Sequence, residues 1–464
     1  MYRAVAAALL LAGLTAGLPA SATLAAAPAP LRANAVEAGS THTCAVTTAG
    51  GVRCWGSNFH GQLGDATTLM RTVPVAVPAL TDVRAVGAGD HTCALTNLGG
   101  ISCWGSNSSG ELGDGTRTDR RTPVPVSGLS GRATALAVGL DHTCALLESA
   151  TVECWGENAS GQLGHGATLD SATPVAVSDL ANVTSVAAGG SHTCALTNTG
   201  GVKCWGSNTY GQLGIGSIGG SSLTPVDVES LTSGVSSIAI GREHGCAVTT
   251  EGAVKCWGVD RHGQLGTVTN CGSFPNWICP RPGPVDRLST GVSAIAAGLD
   301  HTCARLTGGA LKCWGEGNRG QLGNGGRYSY VPVDVVGIQS GAVGITLGTT
   351  HTCALMLTGE VKCWGDNSSG QVGDGTRTNR VTPVVIPAGP TSCLVPGLKG
   401  KTLAAARNVF ARTACSLGPI RRAFSTKIRK GRVVSQRPKP GAELPSGASV
   451  KIVVSRGMPR KRGG

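Results

Sequence analysis

His42-Thr43-Cys44-Ala45, then Cys54-Trp55-Gly56, then Gly61-Gln62-Leu63-Gly64: this phrase, met first between residues 42 and 64, occurs seven times along 464 residues. Its cysteines keep the register. The pairs are Cys44 with Cys54, Cys93 with Cys103, Cys144 with Cys154, Cys194 with Cys204, Cys246 with Cys256, Cys303 with Cys313 and Cys353 with Cys363. Members of a pair stand ten positions apart, and a Trp directly follows the second. A phrase returning at a fixed spacing of about fifty residues marks a repeat architecture, in which each unit is one supersecondary block stacked on its neighbours. Whatever recurs in every copy is then scaffold, and function is to be sought where the copies differ.

The second copy shows what one unit is. Val83-Arg84-Ala85-Val86-Gly87-Ala88-Gly89 leads into His91-Thr92-Cys93-Ala94-Leu95, a turn at Asn97-Leu98-Gly99-Gly100, and Ile101-Ser102-Cys103-Trp104-Gly105. β-formers on both sides of a Gly-rich turn predict an antiparallel hairpin. If Cys93 faces Cys103, residue 95 lies opposite 101 and one disulfide closes the ladder. Alternation of side chains then sends Trp104 to the other face. The unit ends in Thr122-Pro123-Val124-Pro125-Val126, whose prolines suit an edge strand. Four short strands per unit make the blade of a β-propeller, and the fold class is all-β. The last such segment, Thr382-Pro383-Val384-Val385-Ile386, is expected to join the sheet of the first hairpin and so close the ring.

Composition bounds the setting. Charged residues are 14% and Gly numbers 71, which fits short strands joined by tight turns and excludes a coiled coil. Arg3, an apolar run over residues 4–18 and Ala20-Ser21-Ala22 read as a signal peptide over residues 1–22, with a second cleavage site after Ala27. No later stretch approaches twenty apolar residues, so no membrane span is expected. The 18 cysteines divide into the seven repeat pairs plus Cys271 with Cys279 and Cys393 with Cys415. In an exported chain this reads as nine disulfides, since the rival is seven equivalent metal sites without any C-x-x-C spacing. No metal site or cofactor is expected. Charge is partitioned: residues 391–464 carry 17 Lys and Arg against Glu443 alone, whereas the remainder carries 22 bases and 25 acids. The basic character therefore belongs to a separate C-terminal module.

The phrases Gly-x-x-His-Thr-Cys-Ala-Leu, Val-x-Cys-Trp-Gly-x-Asn and Gly-Gln-Leu-Gly-Asp-Gly resemble the repeat of the regulator of chromosome condensation family. Departures fall at Gly245 for Thr, Glu111 for Gln, Asp260 and Gly317 for Asn, and Val372 for Leu. The resemblance implies a seven-bladed propeller over residues 34–388, with a linker at 23–33 before it. The founding member of that family is a nuclear exchange factor for a small GTPase, while secreted bacterial propellers of this class include inhibitors that grip a β-lactamase. Beyond a linker at 389–392, Cys393-Leu394-Val395-Pro396-Gly397-Leu398-Lys399-Gly400-Lys401-Thr402 opens a module similar to a PASTA domain. Further points of likeness are Gln436-Arg437-Pro438-Lys439-Pro440-Gly441 and Val450-Lys451-Ile452-Val453-Val454-Ser455. The module is placed at 393–457, a small α+β domain with a helix over residues 403–415 capped by Thr402, followed by a basic tail at 458–464. The likeness implies an extracellular module associating with peptidoglycan, and its charge suits an anionic wall polymer as readily as plain solubility.

The seven repeat histidines, His42 to His351, have the same neighbours in every copy. A catalytic His needs a unique one, so they are read as structural, with ring nitrogens satisfying backbone groups of the blade turns. The repeat tryptophans are expected between blades. Between the Asn position and Gly-Gln-Leu-Gly the copies differ in a dipeptide that includes Phe59-His60, Thr209-Tyr210, Arg261-His262 and Asn318-Arg319. These should ring one face of the propeller, and Phe59, His60, Tyr210, Arg261, His262 and Arg319 are interface-type residues. The fifth unit carries the extra Cys271-Gly272-Ser273-Phe274-Pro275-Asn276-Trp277-Ile278-Cys279, read either as a stapled recognition loop showing Phe274 and Trp277 or as plain loop variation. Tyr328 and Tyr330 form a second patch. The expectation is a secreted, wall-associated, non-enzymatic binding protein with an extracellular protein or glycan at the propeller face, a wall polymer at the tail and no nucleic acid. An extracellular enzyme or enzyme inhibitor is the alternative, and exchange-factor activity a third.

Overall fold

A computed structural model describes residues 29–267, 277–445 and 447–458. Seven four-stranded antiparallel sheets follow one another in chain order as the blades of a propeller. Blade 1 is Ala33–Ala38, His42–Thr47, Val52–Gly56 and Arg71–Val77, from the axis outward, and blade 7 ends the ring with Ala342–Leu347, His351–Met356, Val361–Gly365 and Arg380–Val385. In the middle hairpin Cys44 lies opposite Cys54, Thr43 opposite Trp55 and Val46 opposite Val52. The other blades keep this register, as with Cys93 opposite Cys103 and Leu95 opposite Ile101.

One disulfide spans each hairpin. In blades 1 to 4 it joins Cys44 to Cys54, Cys93 to Cys103, Cys144 to Cys154 and Cys194 to Cys204. In blades 5 to 7 it joins Cys246 to Cys256, Cys303 to Cys313 and Cys353 to Cys363. Cys279 is also disulfide-bonded, while Cys271 lies outside the described residues.

Alternation then decides how blades stack. Cys44 and Cys54 on one face of blade 1 pack with Val86, Ala94 and Trp104 of blade 2, and the same sandwich recurs around the ring. Each repeat Trp is fully buried, and its Nε1–H donates to the carbonyl of the preceding blade's Gln or Glu, as Trp104 does to Gln62 at 2.9 Å. Gly64 makes the seat for that indole. It stands at φ 67°, and a Cβ there would lie 2.8 Å from Trp104 Nε1, so the closing Gly of Gly-Gln-Leu-Gly is required by contact with the next blade.

The ring closes differently from the expectation. Arg380–Val385 pairs with its own blade, Cys363 opposite Val384, rather than with the first sheet. Blade 7 already supplies four strands of its own, so the N-terminal segment does the fastening. Leu31 N–H donates to Ile386 O at 2.7 Å, Pro30 bridges Pro387, and Arg32 pairs with Glu360 at 3.4 Å. Leu31 and Trp55 are buried against Cys353 and Cys363 of blade 7, which removes the exposed edge.

The C-terminal domain pairs Ser392–Leu394 with Glu443–Pro445 and sets a helix, Leu403–Phe410, beside a sheet of Ser416–Ala423, Ser449–Ser455 and Val433–Arg437. Thr402 caps the helix, accepting from Ala405 N–H at 3.1 Å. Phe410, Val395, Leu398, Val450 and Ile452 form the core beside the Cys393–Cys415 disulfide. The helix stops at Phe410, short of residue 415, where its last carbonyl meets Arg71 of blade 1.

Candidate functional site

The repeated polar residues build the junctions between blades. His42 Nε2 lies 2.7 Å from Thr92 Oγ1 of the next blade, and that hydroxyl donates to Gln62 O at 2.8 Å. With its proton so committed, Thr92 must accept from the ring, which fixes the Nε2–H tautomer. The same node recurs at His91 and Thr143, His142 and Thr193, His244 and Thr302, His301 and Thr352, and closes the circle at His351 and Thr43. The expected bond from the rings to turn backbone is therefore corrected: they bond to hydroxyls, because the Thr after each His meets the preceding blade. Burial, first, and neighbouring rings hold His42, His91, His192 and His301 down to about 3. The neutral rings are fasteners. At one junction the node is open: Gly245 stands for Thr, and both ring nitrogens of buried His192 lack a partner.

The axial channel is walled by the innermost strands, mostly through glycines and small aliphatic residues whose backbone it exposes, with cavities of about 130 and 240 Å³ that share Glu37, Val138, Ile240 and Leu347 among their walls. Glu37 falls where the other blades place Gly87, Ala137, Ala187, Ala239, Ala296 and Thr346. Thr346 Oγ1 donates to it at 2.9 Å and accepts from Ala38 N–H at 3.1 Å. Burial pushes the carboxyl up to about 7 despite that bond. Nothing in the repeat phrase signals this pair, which sits at the junction of blades 7 and 1.

The variable dipeptides lie where each blade meets the next. Gly61, Gly211, Gly263 and their equivalents pack on the outer strand of the following blade. The dipeptide side chains accordingly reach across junctions. His60 meets Asp119 at 2.9 Å, His262 meets Glu316 at 2.9 Å, and Arg319 approaches Asp366 at 4.0 Å. Over blades 4 to 6 these contacts merge into one patch. Arg261 lies 5.3 Å from the centroid of the Tyr210 ring, Gly263 backs onto Tyr330, and Tyr330 meets Tyr328 edge-on at 5.6 Å. Trp277, half-buried, joins it through its carbonyl, which accepts from Asp260 N–H at 2.8 Å. Phe274 lies outside the described residues. Phe59, 77% exposed, and His60 are set apart on blade 1. Nearer the axis the surface is acidic: burial and then Asp90 raise Asp141, while burial, Asp141 and Asp170 raise Glu157.

Blade 1 holds the C-terminal domain. Arg71, 1% exposed, grips Asp65 at 2.6 Å and donates Nη1–H to the carbonyls of Phe410, Thr413 and Cys415 at 2.9, 3.1 and 2.9 Å. Thr72 N–H donates to Ala411 O at 2.9 Å. The carbonyls of Phe410 and Ala411, which a further helical turn would use, are met by Arg71 and Thr72 of the propeller where the helix ends. Leu69 packs on the domain's core. Arg71 was not among the sequence candidates, yet a signal for it exists. Asp65-Ala66-Thr67-Thr68-Leu69-Met70-Arg71 matches Asp114-Gly115-Thr116-Arg117-Thr118-Asp119-Arg120 and Asp374-Gly375-Thr376-Arg377-Thr378-Asn379-Arg380 in the three residues that staple the loop, and differs at the outward ones. Among the described residues no group of three or more His, Cys, Asp or Glu could hold a metal, and no helix is long and apolar enough to cross a membrane.

Comparison with known proteins agrees with this geometry. Models of the regulator of chromosome condensation (RCC1) repeat match seven segments from 34–62 to 342–371 and, in a longer form, six from 49–95 to 309–355. The PASTA domain model matches 394–456. The chain is 33% identical to the ultraviolet-B receptor UVR8 of Arabidopsis thaliana over 195 residues, 41% of this chain and 43% of that protein. It is 39% identical to the probable E3 ubiquitin-protein ligase HERC4 of Homo sapiens over 208 residues, 44% of this chain and 19% of that one. It therefore spans less than half the length of these relatives. Human WBSCR16 superposes with a TM-score of 0.65 at 22% identity, over 72% of this chain and 93% of that one.

Proposed function

Since the chain belongs to the regulator of chromosome condensation repeat family and ends in a PASTA domain, we propose that it is a secreted binding protein without catalysis of its own. In this reading blades 4 to 6 hold an extracellular protein or glycan, and the basic C-terminal domain associates with an anionic wall polymer. The observation that carries the reading is the clustering of Tyr210, Arg261, Tyr328 and Tyr330 on one arc, in a chain whose aromatics are otherwise mostly framework. Aromatic and arginine anchors of this kind carry most of the energy of typical interfaces. Disulfides in every blade support an oxidising compartment. Blade 1, across the ring, is occupied by the C-terminal domain, so the two activities do not compete for surface.

The test is a pull-down from culture medium of the producing cells, with Tyr210→Ala/Tyr330→Ala beside the parent chain. A partner retained by the parent and lost by the double variant is the expected result. Equal recovery from both would remove the patch as the binding surface. Co-sedimentation of the full chain with insoluble peptidoglycan in low salt tests the second half; failure to sediment removes the wall association.

A further inference from the structure

Between the blade 1 loop and the C-terminal domain lies a cleft of about 720 Å³, within the range of small-ligand sites and at a domain boundary, where such sites concentrate. One wall is Phe59, Ala66, Leu69 and Met70; the other is the helix face at Arg407 and Asn408 with the strand start at Ser416. Arg121 of blade 2 completes the rim. Three independent features show that this cleft departs from the repeat.

The first is the loop exchange. Blades 2 and 7 place Arg117-Thr118-Asp119 and Arg377-Thr378-Asn379 where blade 1 places Thr68-Leu69-Met70. The stapling residues Asp65, Thr67 and Arg71 stay, so the change was not needed for the loop to fold. The second is backbone strain. Blades 2 and 7 use Gly115 and Gly375 at φ 80° and 84°, whereas blade 1 holds Ala66 there at φ 61°. A left-handed non-glycine residue is disfavoured relative to glycine, and this one lines the cleft. The third is charge. Arg121 and Arg407 are exposed, and among the described residues no carboxylate lies within 4.0 Å of either guanidinium. By contrast Arg117 and Arg120 of blade 2 pair with Asp170 and Asp114, and Asp119 is met by the His60 ring.

We propose that this composite cleft binds a carboxylate-bearing saccharide, with Arg121 and Arg407 holding the carboxylate from the two domains and the exposed Phe59 ring stacking on the sugar. Guanidinium forks match carboxylates bidentately, and an exposed aromatic face suits the apolar face of a pyranose ring. Thr68, Asn408 and Ser449 supply polar partners for ring hydroxyls. The proposal rests on the wall-association reading and sharpens it: the site belongs to neither domain alone.

The probe is the disaccharide of N-acetylglucosamine and N-acetylmuramic acid, with the uncharged N-acetylglucosamine dimer as control, titrated calorimetrically into the full chain. The charged disaccharide should bind and the neutral one bind at least tenfold more weakly. Arg121→Ala, Arg407→Ala and Phe59→Ala should each weaken binding about tenfold, while Arg412→Ala, which removes the same charge outside the cleft, should not. Equal binding of the two sugars overturns the charge recognition. Loss with Arg407→Ala but not Arg121→Ala overturns the composite site and leaves a site within the C-terminal domain. A chain that sediments with peptidoglycan, unaffected by any of the cleft substitutions, overturns this proposal while the broader reading stands; no sedimentation at all removes the broader reading instead.

Discussion

Replacing Arg71 by Met should release the C-terminal domain from the propeller without unfolding either. Three arginines occupy the same loop position: Arg120 and Arg380 hold Asp114 and Asp374 with side chains 36% and 35% exposed, whereas Arg71 holds Asp65 at 1%. Removing one partner of an exposed pair is worth about 0–1 kcal/mol, and of a buried pair about 3–5 kcal/mol. The three carbonyls of Phe410, Thr413 and Cys415 would lose a charged donor together, and such bonds are worth about 1.5–3 kcal/mol singly, with strong overlap between them. Asp65 retains Asn58 and Thr67 as donors, so the loop itself keeps its shape. The net difference between Arg71→Met and Arg120→Met is then about 3 kcal/mol, roughly a hundredfold in the docking equilibrium. Hydrogen exchange reads this locally, since Thr72 N–H donates to Ala411 O. Peptides covering residues 66–77 and 403–415 should lose protection in Arg71→Met and keep it in Arg120→Met, and small-angle scattering should show the longer particle only for the first. Unchanged protection in Arg71→Met, or an equal loss in Arg120→Met, would falsify the assignment of Arg71 as the docking residue.

Two further outcomes concern the ring. Thr143→Val removes the hydroxyl between His91 and the carbonyl of Glu111 and should destabilise the propeller by about 1–3 kcal/mol in urea unfolding, making the junction resemble that at His192; no change would mean the node contributes nothing. Glu37→Gln keeps an acceptor for Thr346 but cannot ionise. Because burial raises Glu37 from 4.5 to about 7, the folded state retains a proton that the unfolded state has lost between those values, so the contribution of Glu37 declines as pH rises across that window and is level above it. The stability of the variant relative to the parent should therefore rise by up to about 3 kcal/mol from pH 4.5 to 7, and a difference independent of pH would refute a desolvated carboxyl held only by the Thr346 hydroxyl.

Blade number, hairpin register and disulfide pairing were legible because all are local: Cys93 and Cys103 are ten residues apart on one hairpin, and a period of two decides the rest. Features that depend on which distant segments meet were not. The closure at Leu31 and Ile386 joins residues 355 positions apart, and a sequence pattern shows that an edge needs covering without showing what covers it. The histidines were correctly read as framework, but their partner is the Thr of the next blade, hidden because it stands beside a His in every copy. Of the residues read as interface candidates, Tyr210, Arg261, His262, Tyr328 and Tyr330 converge on one arc, since each dipeptide lies against the next outer strand, whereas Phe59 and His60 belong to a different place. Arg71 was missed because Asp65 and Arg71 form the same staple as the arginines of blades 2 and 7; only the residues between them differ.

Chain topology explains why blade 1 is the one altered. The propeller ends at Ile386, which is fastened to Leu31 on the border of blades 7 and 1, so the connection to the C-terminal domain must emerge there. It is held at once: Gly389, at φ 74°, lies against Pro74 O where a Cβ could not fit, and Arg53 donates to the carbonyls of both Pro74 and Pro390. So short a tether gives the domain a high effective concentration at the blade 1 loop and almost none at loops across the ring. Contacts worth little between separate molecules then suffice to dock it, and substitutions in that loop alone are rewarded by docking. The exchange of Arg117-Thr118-Asp119 chemistry for Thr68-Leu69-Met70 is where such substitutions would fall. A propeller of seven near-identical blades is made asymmetric by where its chain leaves the ring, and the aromatic arc over blades 4 to 6 lies beyond the reach of that tether.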